Sequence, residues 1–287
     1  MLTNKMLTMR QMMLEPNFSE SQLQEAVNTA LIRFIFEGRG EWVFANVPSL
    51  FDEFELGWDS AFYFPWIPHP LLEEHEGCNF FIQYKLSYEL TTRGAGQWDD
   101  WNEAYLRFKI PHSTKGNDGR YVDDYHQWER LKALANNNYP VFYATNSTLS
   151  KDTLKEVSKN GNLLPETPFL DVRDVALLHK YVTFTSSSNF FLLHSEIEKS
   201  VKVPFDQVLG RLKETRKVSL SESNSMLYKS LKELKVDEKV WQEDLSQIAG
   251  LISEQGQIER IWFVRSLLIR FFMKHVGVQL YWYPMND

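Results

Sequence analysis

The chain has 287 residues, one cysteine and a formal net charge of −7, with 38 acidic against 31 basic residues. A lone Cys78 excludes an intramolecular disulfide and a cluster of thiolate zinc ligands, so packing must hold together one large domain or a domain with an extension. The net acidity gives no general attraction to phosphate. Because the chain shows no apolar signal-peptide segment and no run of about 18 apolar residues, a cytoplasmic protein that does not span a membrane is expected.

The first predicted element is a helix over residues 19–37. Ser19 is a suitable N-cap. The apolar positions that fall on one face of this helix are Leu23, Val27, Ala30, Leu31 and Phe34. Short apolar runs bounded by glycine or proline predict strands over residues 42–47, 60–66 and 79–87.

The rest of the chain alternates strands and helices before a helical end. An edge strand is predicted over 105–110, a helix over 123–136, a buried strand over 141–145, a helix over 150–159 and a strand pair over 181–185 and 189–193. Amphipathic helices follow over 205–216, 221–235, 237–254 and 257–276, and residues 278–283 form a strand or an aromatic tail. This predicts an N-terminal extension (1–18), an α/β core (19–200) and a helical C-terminal extension (201–287).

The chemistry of the chain centres on Lys85, a charged residue inside an apolar predicted strand. An ammonium group buried without a partner costs several kcal/mol, so such a lysine faces a carboxylate or a polar cleft. Gln83, two residues earlier, points to the same side of the strand, and Asp59 stands at the mouth of the preceding strand. Carboxylate and amide oxygens suit Mg²⁺ or Mn²⁺, and a lysine beside them can orient water and offset charge on a phosphorane.

The segments ELGWDSAFYF and NFFIQYKLS resemble the PD-(D/E)XK nuclease superfamily, in the variant where Q-x-K replaces E-x-K, as in Mrr-type restriction endonucleases. They are also similar to a group of bacterial proteins with a G-[WY]-D…Q-[FY]-K-L-S pattern. The resemblance covers about residues 19–145 and implies a restriction-endonuclease-like αβββαβ core. It implies a hydrolase, a magnesium-dependent DNA nuclease or endonuclease, in restriction or antiviral defence.

The resemblance assigns roles to individual residues. Asp59 matches the metal-binding acid of the second motif, and Gln83 and Lys85 match the third. His126 and Gln127 fall where some members direct a polar side chain toward the site. Two departures matter: no proline precedes Asp59, and the glutamine removes one negative charge, so a further acid is needed to hold the metal.

The family often supplies that acid from its first helix. Glu20 is preferred because it shares the apolar face of the predicted helix, whereas Glu25 points nearly opposite. Glu53 and Glu55, just upstream of Asp59, are weaker alternatives to Glu20, either as a metal ligand or as an acid that supports one. The sites expected from the resemblance are therefore Asp59, Gln83, Lys85 and Glu20 for catalysis, and Asp59, Gln83, Glu20 and Glu53 for the metal.

Two functions other than that of a nuclease fit the same sequence. Asp59 and Lys85 could form a salt bridge in a non-catalytic subunit that binds nucleic acid or a partner protein. An aromatic-rich carbohydrate- or ligand-binding protein would need exposed, coplanar tryptophans. Trp98 and Trp101 could stack unpaired bases, but the acids beside them favour a loop that packs on the sheet edge. No phosphate-binding glycine loop is present, so an ATPase or another defence-system protein would supply any dependence on ATP. Self-assembly of the chain is an alternative way for a net acidic nuclease to hold its DNA substrate.

Basic residues cluster in the C-terminal helices, where they either contact DNA or form solvated helix faces. The first cluster is Lys202, Arg211, Lys213, Arg216 and Lys217, and the second is Arg260, Arg265, Arg270 and Lys274.

Overall fold

The structure is a computed structural model that describes residues 13–37, 76–115, 120–234 and 236–284. It contains both helices and strands, which confirms the predicted mixed α/β class. None of its described helices is long and apolar enough to cross a membrane.

Thirteen strands and nine helices occur in the described residues. The strands are β1 (Met13–Leu14), β2 (Glu76–Lys85), β3 (Tyr88–Leu90), β4 (Tyr105–Lys109), β5 (His112–Lys115), β6 (Tyr121–Asp124), β7 (Val141–Thr145), β8 (Phe169–Asp171), β9 (Tyr181–Phe184), β10 (Phe190–His194), β11 (Glu198–Val201), β12 (Val218–Ser219) and β13 (Gln279–Pro284). The helices are α1 (Glu20–Glu37), α2 (Trp98–Trp101), α3 (His126–Asn136), α4 (Lys151–Lys159), α5 (Leu163–Glu166), α6 (Phe205–Glu214), α7 (Leu220–Glu233), α8 (Lys239–Ile252) and α9 (Ile258–Phe271). A 3₁₀ turn (Val172–Asp174) follows β8, and a π-helical turn (Phe272–Val276) follows α9.

The chain divides into two units, each assembled from separate segments. The first holds the described residues up to Leu31, those of 82–136, and 141–211. The second holds the described residues of 32–81, residues 137–140, and those from Leu212 onward. Both α1 and β2 therefore contribute residues to two units. The division of the chain at residue 200 stays a prediction.

Helix α1 begins where the sequence predicts. Ser19 caps it, because its Oγ accepts a hydrogen bond from the backbone N–H of Gln22 at 3.1 Å. Leu23, Val27 and Leu31 are buried, as the helical spacing requires. Phe34, on the same predicted face, is 45 % exposed. Spacing places it on the same stripe but does not say where the covering surface ends.

A six-stranded sheet in the order β1-β3-β4-β9-β10-β11 forms one layer of the first unit. The pairs β3–β4, β4–β9 and β9–β10 are antiparallel. Strand β4 was expected at an edge, and this is wrong because it lies between β3 and β9. Apolar and polar residues alternate in β4 because one face of the strand stays in contact with solvent. An interior strand of an antiparallel sheet can have such a face just as an edge strand can.

A second sheet contributes the strands that carry the candidate site. Strand β7 lies between β2 and β8, and all five of its residues are buried, which confirms the prediction of a buried strand. Helix α3 packs on this strand within the first unit, and its Trp128 ring stacks on Tyr143 with ring centroids 6.3 Å apart. Strand β2 pairs with β7 and ends at Lys85. The packing of α3 on β7 therefore positions the end of β2 that carries the candidate site.

The second unit is built from α7, α8 and α9 with the start of β2. Strands β12 and β13 both pair with β2, so the C-terminal aromatic segment is a strand and not a tail. A side chain at Gly77 would place its Cβ 2.5 Å from the carbonyl oxygen of Tyr283 and 2.6 Å from the Trp282 ring. Glycine is therefore required where these backbones approach.

Candidate functional site

Gln83 and Lys85 occupy the end of β2, and both are buried. Tyr84, between them, directs its hydroxyl to Asn28 Oδ1 of α1 at 3.1 Å. Successive residues of a strand point to opposite faces, so Gln83 and Lys85 share the other face. Their contacts agree with the predicted alternation.

Gln127 of α3 connects the two side chains. Its Nε2 donates to Gln83 Oε1 at 2.9 Å, and its Oε1 accepts from Lys85 Nζ at 3.0 Å. The Gln83 amide donates in turn to the carbonyl oxygen of Tyr84 at 2.9 Å. Since each end of the Gln127 amide has a partner, its orientation and the position of Lys85 are fixed together.

The Lys85 ammonium lies among mostly neutral groups. Burial is the largest influence and lowers the pKa of Lys85 to about 8, while the Glu20 charge raises it and the Lys109 charge lowers it further. A lysine in this condition exchanges its proton close to neutral pH, which an ordinary surface lysine does not. Sites with such shifted groups are candidates for proton transfer or for binding anions.

Glu20, the first residue of α1, supplies the acid near Lys85. Burial of its carboxylate raises its pKa, and the Lys85 charge and a hydrogen bond from the backbone N–H of Leu86 oppose this shift. The residue as a whole is exposed. The role of Glu20 as a metal ligand stays a prediction.

Glu25 lies elsewhere on α1. It lines an open cleft of about 290 Å³ with Lys151 and Lys155 of α4, where burial raises its pKa to about 7. The preference for Glu20 over Glu25 is consistent with this separation.

His112, the first residue of β5, is a site residue that the sequence analysis missed. Its Nε2 lies 2.7 Å from Gln127 Oε1 and 3.4 Å from Lys85 Nζ. Because an amide oxygen only accepts, Nε2 carries the hydrogen in the contact with Gln127. Burial and then the Lys85 charge lower the pKa of His112, so a neutral imidazole is favoured. No spacing pattern links His112 to β2; only the return of the chain after β4 brings it there.

The remaining expected site residues divide into two groups. Asp59 and Glu53 lie outside the described residues, as do Glu55 and the strands expected over 42–47 and 60–66. His126 is described and pairs with Glu129 at 3.3 Å on an exposed helix surface, so Gln127 is the polar residue that α3 brings to the site.

The described residues provide only part of a cation site. Glu20 offers a carboxylate, and Gln83 Oε1 offers an amide oxygen with one lone pair used by Gln127. Both are hard oxygen donors of the kind that Mg²⁺ accepts alongside water. Among the residues that the structure describes, no three His, Cys, Asp or Glu side chains are grouped to hold a metal. The fit to Mg²⁺ or Mn²⁺ thus depends on Asp59 as the second carboxylate.

Four residues of the two basic clusters have acidic partners in the structure. Arg211 pairs with Asp171 and Asp174, and Arg216 pairs with Glu222 at 2.8 Å. Arg260 similarly pairs with Glu254, and Lys274 with Asp244, both at 2.7 Å. Arg265, expected on a basic helix face, is buried, and that expectation is wrong. Such pairing favours the interpretation of solvated and structural faces.

Trp101 follows the favoured expectation of packing against the sheet, although it lies in the short helix α2 and not in a loop. Trp101 stacks on Phe190 at a centroid distance of 5.2 Å and donates to Thr183 Oγ1 at 2.9 Å. This ring packs on the sheet and is not presented for ligand stacking.

No protein-family model, curated protein or solved structure matches the chain. The function must therefore be inferred from the local chemistry around Lys85.

Proposed function

We propose that the chain is a metal-dependent nuclease with a restriction-endonuclease-like core that hydrolyses DNA phosphodiester bonds, in restriction or antiviral defence. The observation that carries the proposal is the environment of Lys85. Glu20 and Lys85 are 65 positions apart in the sequence, and the charge of each influences the other's pKa. A buried lysine beside an acid and two glutamines is suited to a phosphate group and an attacking water.

The residues of the chain divide the work in this proposal. Lys85 carries a proton at neutral pH and offsets negative charge on the phosphorane, and Gln127 holds its ammonium in place. Glu20, Gln83 and Asp59 supply oxygen ligands for Mg²⁺ or Mn²⁺. The bound cation would polarise a phosphoryl oxygen and lower the pKa of a water molecule. His112, favoured as a neutral imidazole, donates from Nε2 to Gln127 Oε1 and so helps to hold the amide that accepts from Lys85.

One observation favours a second function, a non-catalytic subunit that binds nucleic acid. Gln83 Oε1 already accepts a hydrogen bond from the Gln127 amide, and Lys85 Nζ donates to the oxygen of that Gln127 amide, which is neutral. A site satisfied in this way binds a phosphate without needing to cut it. This alternative predicts binding that does not change when a divalent cation is removed.

The proposal is tested by Mg²⁺-dependent cleavage of linear DNA. Lys85→Ala, Glu20→Gln and Asp59→Ala should each lower the cleavage rate about a hundredfold or more, because each removes a group that acts in the transition state. Lys202→Met is the matched control. Its ammonium is also partly buried and donates to the carbonyl oxygen of Thr185 at 2.8 Å, away from Gln127.

Two results would overturn the proposal. Equal residual cleavage in all four variants would show that the activity does not come from this site. DNA binding without cleavage, unchanged by chelation of divalent cations, would establish the non-catalytic alternative.

A further inference from the structure

An open cleft of about 290 Å³ lies between α1 and α4, within the first unit. Its wall on α1 consists of Gln22, Glu25, Ala26 and Thr29, and its wall on α4 consists of Lys151, Leu154, Lys155 and Ser158. In both helices these positions follow the spacing i, i+3, i+4 and i+7, which places them in one stripe along the helix. The cleft is therefore the space between two facing helix stripes.

Contacts near the starts of the two helices hold the walls of the cleft. The backbone N–H of Asn17 donates to the carbonyl oxygen of Leu149 at 3.0 Å, and Asn17 Oδ1 accepts from the backbone N–H of Lys151 at 2.5 Å. Leu23 of α1 and Leu154 of α4 are both buried and line the same small cavity. Packed protein interiors leave few voids larger than a water molecule, so an opening of this volume between tied helices is a preformed space.

The two walls carry opposite charges that do not meet. On α1, Glu25 is half-buried and makes no hydrogen bond or ion pair with the residues that the structure describes. On α4, Lys151 and Lys155 are exposed. Burial alone raises the pKa of Glu25 to about 7, so neither lysine lies close enough to offset its charge. A ligand between the walls would meet a carboxylate on one side and ammonium groups on the other.

The acidic residues of α4 leave this arrangement intact. Lys155 lies 3.5 Å from Asp152, in a pair whose side chains are 64 % and 90 % exposed. Such an exposed pair contributes little, so Lys155 stays available to a ligand. Asp152 and Glu156 do not line the cleft, and the described part of the chain gives Lys151 no carboxylate partner. The lining therefore offers one carboxylate and two ammonium groups.

We infer that this cleft binds a small acidic amino acid, whose ammonium group contacts Glu25 and whose two carboxylates contact Lys151 and Lys155. The charges of such a ligand match those of the lining one to one. A water molecule takes about 30 Å³ of the liquid, so the cleft has room for a ligand of about ten non-hydrogen atoms. That is the size of an amino acid and is too small for a polymer.

The neutral residues of the cleft suit the rest of the ligand. Gln22, Thr29 and Ser158 carry side chains that can donate or accept hydrogen bonds beside the charged groups. Ala26 and Leu154 provide apolar surface for the methylene groups between the two ends of the ligand. This role requires no metal, no nucleic acid and no contribution from Lys85, so it goes beyond the proposed function and does not depend on it.

The experiment measures binding of L-glutamate and of pentanedioate to the full chain by isothermal titration calorimetry at pH 8 with EDTA. Pentanedioate has the carbon chain and the two carboxylates of glutamate but no ammonium group, so it should bind the wild type at least tenfold more weakly. Glu25→Gln should weaken glutamate binding at least tenfold, because it removes the partner of the ammonium group. The same variant should bind pentanedioate at least as tightly as the wild type does.

The lysine wall and the location of the site have their own variants. Lys151→Gln should weaken binding of both ligands at least fivefold, because both contain the carboxylate that it contacts. Glu156→Gln and Lys159→Gln are the matched controls, since they change exposed residues of α4 outside the cleft, and they should bind both ligands as the wild type does. Lys85→Met should also keep its affinity for glutamate, which separates the cleft from the candidate nuclease site.

Three results would overturn the assignment. The wild type would fail to bind L-glutamate, pentanedioate would bind as tightly as glutamate, or Glu25→Gln and Glu156→Gln would bind glutamate equally well. A loss of affinity in Lys85→Met equal to that in Glu25→Gln would place the ligand at Lys85 and also exclude the cleft. Glu25→Gln removes no contact within the described residues, so unfolding of the variant would not account for a loss of binding.

Discussion

Lys85 in the first unit and Arg265 in the second are both cations removed from water, but they have different kinds of neighbours. Arg265 is 2 % exposed and donates to Asn79 Oδ1 at 2.7 Å and to the carbonyl oxygen of Tyr281 at 3.2 Å. Burial lowers its pKa to about 9, and it remains charged at neutral pH. Its acceptors come from β2 and β13, so it connects strands.

Both cations donate to a side-chain amide, but the other neighbours of the Lys85 ammonium are of another type. It lies beside the His112 imidazole, and the charge of the Glu20 carboxylate raises its pKa. None of these neighbours is a backbone group of a paired strand. The comparison teaches that burial alone does not mark a functional cation. Lys85 differs because it can lose its proton or exchange one hydrogen-bond partner for another while the contacts between paired strands stay intact.

The largest effect that tests this difference is loss of the Arg265 side chain. Arg265→Ala removes the donor to Asn79 and Tyr281 and leaves a cavity, so the free energy of unfolding should fall by about 3 kcal/mol or more. Urea titration of the full chain measures it. Arg260→Ala, in the exposed pair with Glu254, is the control and should cost less than about 1 kcal/mol. Equal losses would mean that Arg265 is not a structural cross-link.

The second test uses pH to separate the two cations. The pKa of Lys85 is about 8 in the folded chain against an ordinary value of 10.5, so the unfolded chain binds more protons between these values. Stability therefore rises with pH in that window, by on the order of 2–3 kcal/mol for this group. Lys85→Met should be as stable as the wild type or more so at pH 7, and should lose that relative advantage as the pH approaches 10.

Urea titrations of the wild type and Lys85→Met across this range check the sign. Lys180→Met is the control, because a hydrogen bond to Asp123 raises the pKa of Lys180 and gives no stabilisation on raising the pH from 8 to 10. A constant difference between the wild type and Lys85→Met would show that Lys85 keeps an ordinary proton affinity.

Much of the local structure was predictable from sequence because it depends on neighbouring residues. The cap at Ser19, the buried strand β7 and the four C-terminal helices follow from spacing over a few turns. Strand alternation correctly placed Gln83 and Lys85 on the same side of β2, where both contact Gln127. The choice of Glu20 over Glu25 as a metal ligand stays a prediction.

What sequence reasoning missed depends on contacts between distant segments. His112 reaches Lys85 only through the path of the chain between β4 and β5. Arg265 follows the spacing of a basic helix face, and the partner strands that bury it are not visible in that spacing. The interior place of β4 depends on β9, about 70 residues later, whose pairing no local pattern specifies. Asp59 and Glu53 stay predictions.

The smallest effect concerns the cap that positions Glu20 beside Lys85. Ser19 Oγ accepts from the N–H of Gln22 at 3.1 Å, and Ser150 caps α4 in the same way through the N–H of Thr153 at 3.3 Å. Ser19→Ala and Ser150→Ala should each cost about 1 kcal/mol of stability. Only Ser19→Ala loosens the turn that carries Glu20, so only this variant should lower DNA cleavage, by several-fold. Because the Glu20 charge raises the pKa of Lys85, loosening that turn should also move the lysine limb of the pH–rate profile to lower pH. Identical cleavage and pH profiles in the two variants would contradict a role for Glu20, and would leave Gln127 and His112 as the described side chains that position Lys85.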